Sequence, residues 1–242
     1  MILVIALSLI VGFSIGMMGV GGIFLTPFLI LLTDLEMSTA MGTALITFIG
    51  TGLLGSYIYQ QEGNINWHFV LYLAPSSVLG AISGSNLNLA LSEATLERIL
   101  AIFLMVMAVI IFSKQRKKAI KIKDKQDFNK LFYLAIGFIT GLASGLFGVG
   151  GPVLMVPLLS SLGWPILMAV GVSQVISVFS ALSGSFNYLV NARVDFTLAF
   201  IILVAELIGV FFGGKLAHKI NKDYLIVLLC FMLFGLGIYF IN

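Results

Sequence analysis

Apolar residues fill this chain in long blocks separated by short polar stretches. Six blocks fall at residues 38–59, 67–89, 94–112, 166–190, 196–217 and 224–241. Each has about the 20 residues that a helix needs to cross a hydrocarbon core of ~30 Å. Two further blocks, 1–32 and 131–162, are longer, and the same four letters interrupt both. These are Gly19-Val20-Gly21-Gly22 and Gly148-Val149-Gly150-Gly151. The pattern predicts an all-α, multi-pass helical bundle with two broken helices.

The chain is also written twice. Shifted by 129 positions, it meets itself in one register almost end to end. Gly12, Gly16, Gly19, Val20, Gly21 and Gly22 meet Gly141, Gly145, Gly148, Val149, Gly150 and Gly151. Gly55, Ser56 and Tyr59 meet Gly184, Ser185 and Tyr188, and Gly80 and Gly84 meet Gly209 and Gly213. A duplication explains this, and internal repeats recur in transporter folds. It divides the chain into a first repeat (1–113), a linker (114–130) and a second repeat (131–242). Each repeat holds one broken segment and three spanning segments.

Charge then changes the picture. The net charge is +3, and the linker from Lys114 to Lys130 is dense in lysine. Lysine and arginine resist translocation, so this loop is expected in the cytoplasm. If each broken segment is a kinked span, the halves are parallel, and Lys215, Lys219 and Lys222 fall outside. If each is a hairpin turning at its glycines, the halves are inverted, and all three lysines fall inside. Only Arg98 and Arg193 are then external. The inverted arrangement is the expected one. Its second hairpin arm, 22–33, is short at ~18 Å, so tilt or a re-entrant path is required.

Composition excludes a soluble domain. Hydrophobic residues make up 60% and charged ones 10%, against roughly 45–50% and 25% in soluble proteins. The start of the chain lacks a positive segment and a small-residue cleavage site, so it reads as a retained membrane helix. Cys230, the one cysteine, has no partner for an internal disulfide. His68 and His218 sit near span ends with no third ligand beside them, so no metal and no cofactor are expected. Nothing assembles a nucleophile and base within the spans, so the chain is not expected to be an enzyme. Nucleic acid is not an expected partner. The bilayer is, and a homo-oligomer is open to it.

The candidate chemistry lies at the breaks. A broken helix in hydrocarbon leaves N–H and C=O groups unpaired, and this is tolerated only inside protein or beside a solute. A helix restarting near Gly22 or Pro152 aims free N–H groups and the positive end of its dipole at the break, which suits an anion. Gly19, Gly21, Gly22, Gly148, Gly150 and Gly151 are therefore candidate substrate contacts. The pairs Gly12–Gly16, Gly80–Gly84, Gly141–Gly145 and Gly209–Gly213 instead have the spacing of close helix packing. Polar residues in the following segments extend the site: Thr43, Thr47 and Thr51 in one half, Ser173, Gln174 and Ser177 in the other. Such hydroxyls also back-bond to their own helix. Glu206 is the only acid deep in a span, and its repeat mate is Ser77. An intramembrane carboxylate is a candidate proton-coupling group, or a structural partner of Lys215 or a hydroxyl.

The segments "IVGFSIGMMGVGGIFLTPFLILL" and "AIGFITGLASGLFGVGGPVLMVPLL" resemble the paired signature of the TauE/SafE family of membrane permeases. "AMGTALITFIGTGLLGSYIY" and "AVGVSQVISVFSALSGSFNYL" resemble the pattern of the family's next helix. Ile23 and Pro152 stand where a glycine often follows the family's GVGG. The resemblance implies a transporter of a small sulfur-containing anion such as sulfite or an organosulfonate. It places the chain in the inner (plasma) membrane of a bacterial-type cell. Export by alternating access, coupled to protons, is the expectation; a passive anion channel of the same fold is the alternative.

Overall fold

In the computed structural model, every block that the apolar pattern marks is helical. The structure describes residues 1–115, 130–217 and 223–241, with the side chains of 114, 115, 223–230 and 241 outside the description. The basic loop residues 116–129, His218, Lys219 and Lys222 lie outside the described residues, as does the Cys230 side chain. The helices are α1 (Ile2–Met18), α2 (Leu25–Leu32), α3 (Met37–Gln61), α4 (Trp67–Ala90) and α5 (Glu93–Gln115), then α6 (Lys130–Phe147), α7 (Pro152–Ser161), α8 (Ile166–Val190), α9 (Phe196–Leu216) and α10 (Asp223–Ile241). No strand occurs among the described residues. Among the described residues, five helices are long and apolar enough to cross a membrane: α3, α6, α8, α9 and the 93–113 stretch of α5. The element ends lie within a few residues of the sequence-based ones.

Polarity is distributed for lipid rather than water. Leu71, Phe186, Phe200 and Phe231 are exposed, while Thr43, Ser77, Asn88, Ser173 and Glu206 are buried. Most buried hydroxyls return to their own helix, as Ser77 Oγ to the Ala74 carbonyl (2.9 Å) and Thr140 Oγ1 to the Ile136 carbonyl (2.8 Å). In hydrocarbon this is how a polar side chain is satisfied without a partner helix.

The packing crosses the two halves. The most extensive contacts join α4 to α6, α1 to α9, α3 to α8 and α5 to α10. The spaced glycines make the first two possible. A Cβ on Gly12 or Gly16 would collide with the backbone of Glu206 or Val210, and one on Gly209 or Gly213 with the backbone of Leu9 or Phe13. The same interlock recurs where Gly141 and Gly145 meet Ser77 and Ala81, and Gly80 and Gly84 meet Phe138 and Leu142. Along these seams α1 runs parallel to α9, and α6 parallel to α4. The central pair differs: Gly42 backs onto Tyr188, and Gly55 onto Gln174, so α3 and α8 run antiparallel. α3 runs parallel to α9, with Gly50 on Leu203 and Ile58 on Gly214.

Both breaks end in the same way. Gly19 closes α1 with φ 77°, and Gly148 follows α6 with φ 60°. Only glycine adopts that left-handed backbone without a steric penalty. The chain then restarts differently in the two halves. Pro152 occupies the first turn of α7, whereas the first half makes a 3₁₀ turn over Gly21–Phe24 before α2. The restarted helices are short, 8 and 10 residues, and ten residues of α-helix rise only about 15 Å.

Tyrosines pin the breaks. Tyr59 Oη donates to the Gly16 carbonyl (3.0 Å), and its repeat mate Tyr188 donates to the Gly145 carbonyl (2.7 Å). Both are fully buried. Tyr59→Phe and Tyr188→Phe are each expected to destabilise the fold by about 1 kcal/mol, the net value of a buried hydrogen bond. Thermal unfolding in detergent checks this, and unchanged midpoints for both would show the hydroxyls to be dispensable.

Candidate functional site

The two glycine motifs meet. Gly22 and Gly150 face each other, with Gly150 N 3.4 Å from the position a Gly22 Cβ would take. Gly19 likewise faces Pro152, at 3.0 Å from such a Cβ to the proline Cβ. Between them lies a small buried cavity lined by Ile15, Gly19, Gly22, Phe48, Thr51, Gly150, Pro152, Gln174 and Ser177. About 10 Å³ of it is open to the centre of a water molecule, which is room for about one water. A polyatomic oxyanion is larger, so this conformation is closed around its centre.

The electrostatics of the cavity follow from which helix ends are silenced. α1 and α6 end at the breaks, and their last carbonyls would present partial negative charge. Four of those carbonyls accept hydrogen bonds. The Ile15 carbonyl accepts from Gly19 N (2.8 Å) and from Gln174 Nε2 (3.1 Å). The Gly16 and Gly145 carbonyls accept from the two tyrosines, and the Leu146 carbonyl from Asn88 Nδ2 (2.7 Å). The restarting ends, Gly22 in one half and Gly150–Pro152 in the other, are the helix N-termini at the cavity wall. Hydrogen bonds to the Ile15, Gly16, Gly145 and Leu146 carbonyls weaken the negative bias of the C-terminal ends, while the restarting N-termini carry a positive one.

The candidate residues divide by location. Gly19, Gly22, Gly150, Gln174 and Ser177 line the cavity, joined by Thr51. The others stand behind or away from it. Gly21 packs against Val11, Ser14 and Ile15 of α1. Gly148 lies on the Met41 backbone, and its carbonyl accepts from Thr26 Oγ1 (3.0 Å). Gly151 packs against the backbone of Ser177 on α8. Thr43 Oγ1 accepts from Asp195 N (2.9 Å), tying α3 to the start of α9. Thr47 donates to the Ala44 carbonyl (2.9 Å) and Ser173 to the Val170 carbonyl (2.8 Å). α3 passes the cavity at one depth, so its threonine stripe reaches the cavity only through Thr51.

Glu206 sits midway along α9 with no exposed surface. Gly12 of α1 covers its backbone, and Thr47 of α3 lies beside its carboxyl group. Thr47 spends its hydrogen on Ala44, and neither carboxyl oxygen has a hydrogen-bond partner. Lys215 instead lies over the Phe211 ring at 4.1 Å. Sequence reasoning missed Phe48 and Asn88 at the centre. Asn88 carried a signal, because an amide buried in an apolar helix needs a partner. Phe48 carried none.

The sequence model of the sulfite exporter TauE/SafE family matches residues 4–240. The chain is 27% identical over 226 residues to the probable membrane transporter protein YdhB of Bacillus subtilis, covering 91% of each. It is 26% identical to a probable membrane transporter protein of Methanocaldococcus jannaschii, covering 98% of this chain and 96% of that one. A shorter match, 27% over 107 residues, is to the sulfite exporter TauE/SafE family protein 6 of Arabidopsis thaliana. It covers 43% of this chain and 25% of that protein. No solved structure matches. The family match runs almost from end to end and takes in both glycine motifs, so this multi-pass helical chain belongs to the TauE/SafE family of membrane transporters.

Proposed function

We propose that the protein moves a small sulfur oxyanion, sulfite or an organosulfonate, out of the cell by alternating access around the cavity between the two glycine motifs. The observation that carries this reading is the convergence of both motifs on one buried cavity whose walls include helix N-termini, two hydroxyls and an amide beside the apolar Ile15, Phe48 and Pro152. The N-termini favour an anion, while hydrogen bonds to the Ile15, Gly16, Gly145 and Leu146 carbonyls weaken the opposing bias. The family name and the name of the plant relative supply the sulfur chemistry.

Alternating access in many transporter folds is a rocking of one repeat against the other. The antiparallel α3 and α8 are repeat mates, and every principal contact has its counterpart under exchange of halves. This supports inverted repeats, each opening with a re-entrant hairpin, with the 114–130 loop and Lys215 on the cytoplasmic side of the inner membrane. Glu206, buried and unpartnered, is the coupling group in this reading. It stands outside the cavity lining, so it acts on the α1–α3–α9 packing rather than on the anion directly.

Counterflow in liposomes with sulfite, sulfate, thiosulfate, sulfoacetate and taurine tests the substrate class. Saturable exchange of a sulfur oxyanion is expected. A preference for zwitterionic taurine over every anion, or no exchange at all, would overturn the reading.

A further inference from the structure

The ring of Phe48 lies between the two glycine motifs. A Cβ on Gly22 would sit 3.0 Å from Phe48 Cζ and 3.1 Å from Cε1, and one on Gly150 would sit 3.7 Å from Cγ. The ring is 1% exposed and forms part of the cavity wall. Glycine at position 22 therefore gives the ring the space it occupies.

The repeat register sharpens this. Position 48 shifted by 129 is 177, so Phe48 and Ser177 are repeat mates, and both line the same cavity. Duplication first placed one residue type at both positions. The two have since diverged into a large apolar ring on α3 and a small hydroxyl on α8. Two phenylalanines would fill the cavity, and two serines would leave an open polar hole.

Most of the other lining groups are held or have no side chain to move. Gln174 is tied to the Ile15 carbonyl, and Thr51 Oγ1 reaches the Thr47 carbonyl at 3.5 Å. Gly19, Gly22 and Gly150 have no side chain to move, and the Pro152 ring is fixed to its backbone. Phe48 and Ile15 are the large lining side chains held by packing alone, and Phe48 is the larger and the one lying against both Gly22 and Gly150. A change in its rotamer is the simplest way to change the volume between the motifs.

We propose that Phe48 is the plug of the central site: its ring closes the space between the glycine motifs and sets the size of the oxyanion admitted there. The proposal rests on the oxyanion reading above for its ligand class and on the geometry for the plug itself.

The test uses a Cys230→Ala background carrying Ser177→Cys as a reporter, in the full-length protein in liposomes. The probe is an anionic sulfonatoethyl methanethiosulfonate. The thiolate introduced by Ser177→Cys attacks its sulfur, a mixed disulfide forms and methanesulfinate leaves. Phe48→Ala is expected to speed labelling at least about tenfold. In the protein without the reporter, it is expected to raise the transport of sulfoacetate relative to sulfite by about tenfold, the scale set by filling or emptying a pocket by one group. Phe48→Leu, which keeps an apolar side chain for folding, is expected to give an intermediate effect. Unchanged labelling in folded Phe48→Ala or Phe48→Leu protein overturns the plug, whatever transport does. Faster labelling with unchanged anion preference overturns the size-setting role. Faster labelling with no oxyanion transport by any protein, wild type included, overturns the oxyanion reading and leaves the plug standing.

Discussion

Gly150→Ala is expected to lower oxyanion transport at least about tenfold while leaving thermal stability unchanged. The space decides this. A Cβ at Gly150 meets Pro152 Cδ at 3.5 Å, Ser177 Oγ at 3.6 Å and Phe48 Cγ at 3.7 Å, all ordinary contacts. Its backbone lies outside the left-handed region, so alanine is not strained there. The methyl group nevertheless enters a cavity with room for about one water. It stands against the N-terminal end that the anion would approach. A displacement of about 1 Å at such a site is enough to cost a transition state two orders of magnitude in other systems. Gly148→Ala is the contrasting control. Its φ is 60°, and its Cβ would collide with the Met41 backbone. Left-handed strain of about 1–2 kcal/mol adds to overpacking of about 1–3 kcal/mol, so this variant is expected to unfold at a clearly lower temperature than wild type. Transport assays and thermal unfolding of the two variants check the pair. A Gly150→Ala protein that transports at the wild-type rate would remove the cavity from the mechanism.

Glu206→Gln is expected to abolish the response of flux to an imposed pH gradient without unfolding the protein. The carboxyl group is buried and neither oxygen has a hydrogen-bond partner. α1 and α3, which pack against α9, carry no Asp, Glu, Lys or Arg within their helical spans, and Lys215 is turned to Phe211. An intramembrane carboxylate held against its desolvation penalty is a functional-site hypothesis by default, and in the proposed mechanism Glu206 carries the coupled proton. Glutamine preserves shape and removes titration. Glu206→Leu separates function from stability further. Removing an unsatisfied buried polar group relieves about 1–3 kcal/mol, so the leucine variant is expected to unfold at a higher temperature than wild type while showing no coupling. Uphill accumulation under a pH jump in liposomes reads the first effect, and unfolding in detergent the second. Coupling that survives Glu206→Gln would assign the proton to another group.

Much of the architecture is legible because lipid constrains it. A span must be helical, apolar and about 20 residues long, so the apolar blocks alone mark the helices and their ends. The breaks at Gly19 and Gly148 are equally legible, since few other residues accept φ near +60 to +80°. Gly12, Gly16, Gly209 and Gly213 announced close packing by their spacing, and they make it. The candidate hydroxyls were another matter. Thr43, Thr47 and Thr51 share one face at spacings of four, and helical periodicity cannot choose among them. The structure gives Thr43 to Asp195, sets Thr47 beside Glu206 and leaves Thr51 at the cavity.

The repeated glycine register, the apolar blocks that become helices and the positions of the breaks can all be read from the chain alone. Each is a local or periodic property that the bilayer enforces residue by residue. What the breaks face cannot be read that way, because it depends on how the helices pack. Packing set Gly22 against Gly150, turned Tyr59 and Tyr188 onto the carbonyls at the ends of α1 and α6, and laid Phe48 between the motifs. Those choices depend on which faces of α1, α3, α8 and α9 meet, and at what depth. Contacts between residues far apart in the chain, such as the 159 positions from Gln174 to Ile15, leave no trace in a period of 3.6.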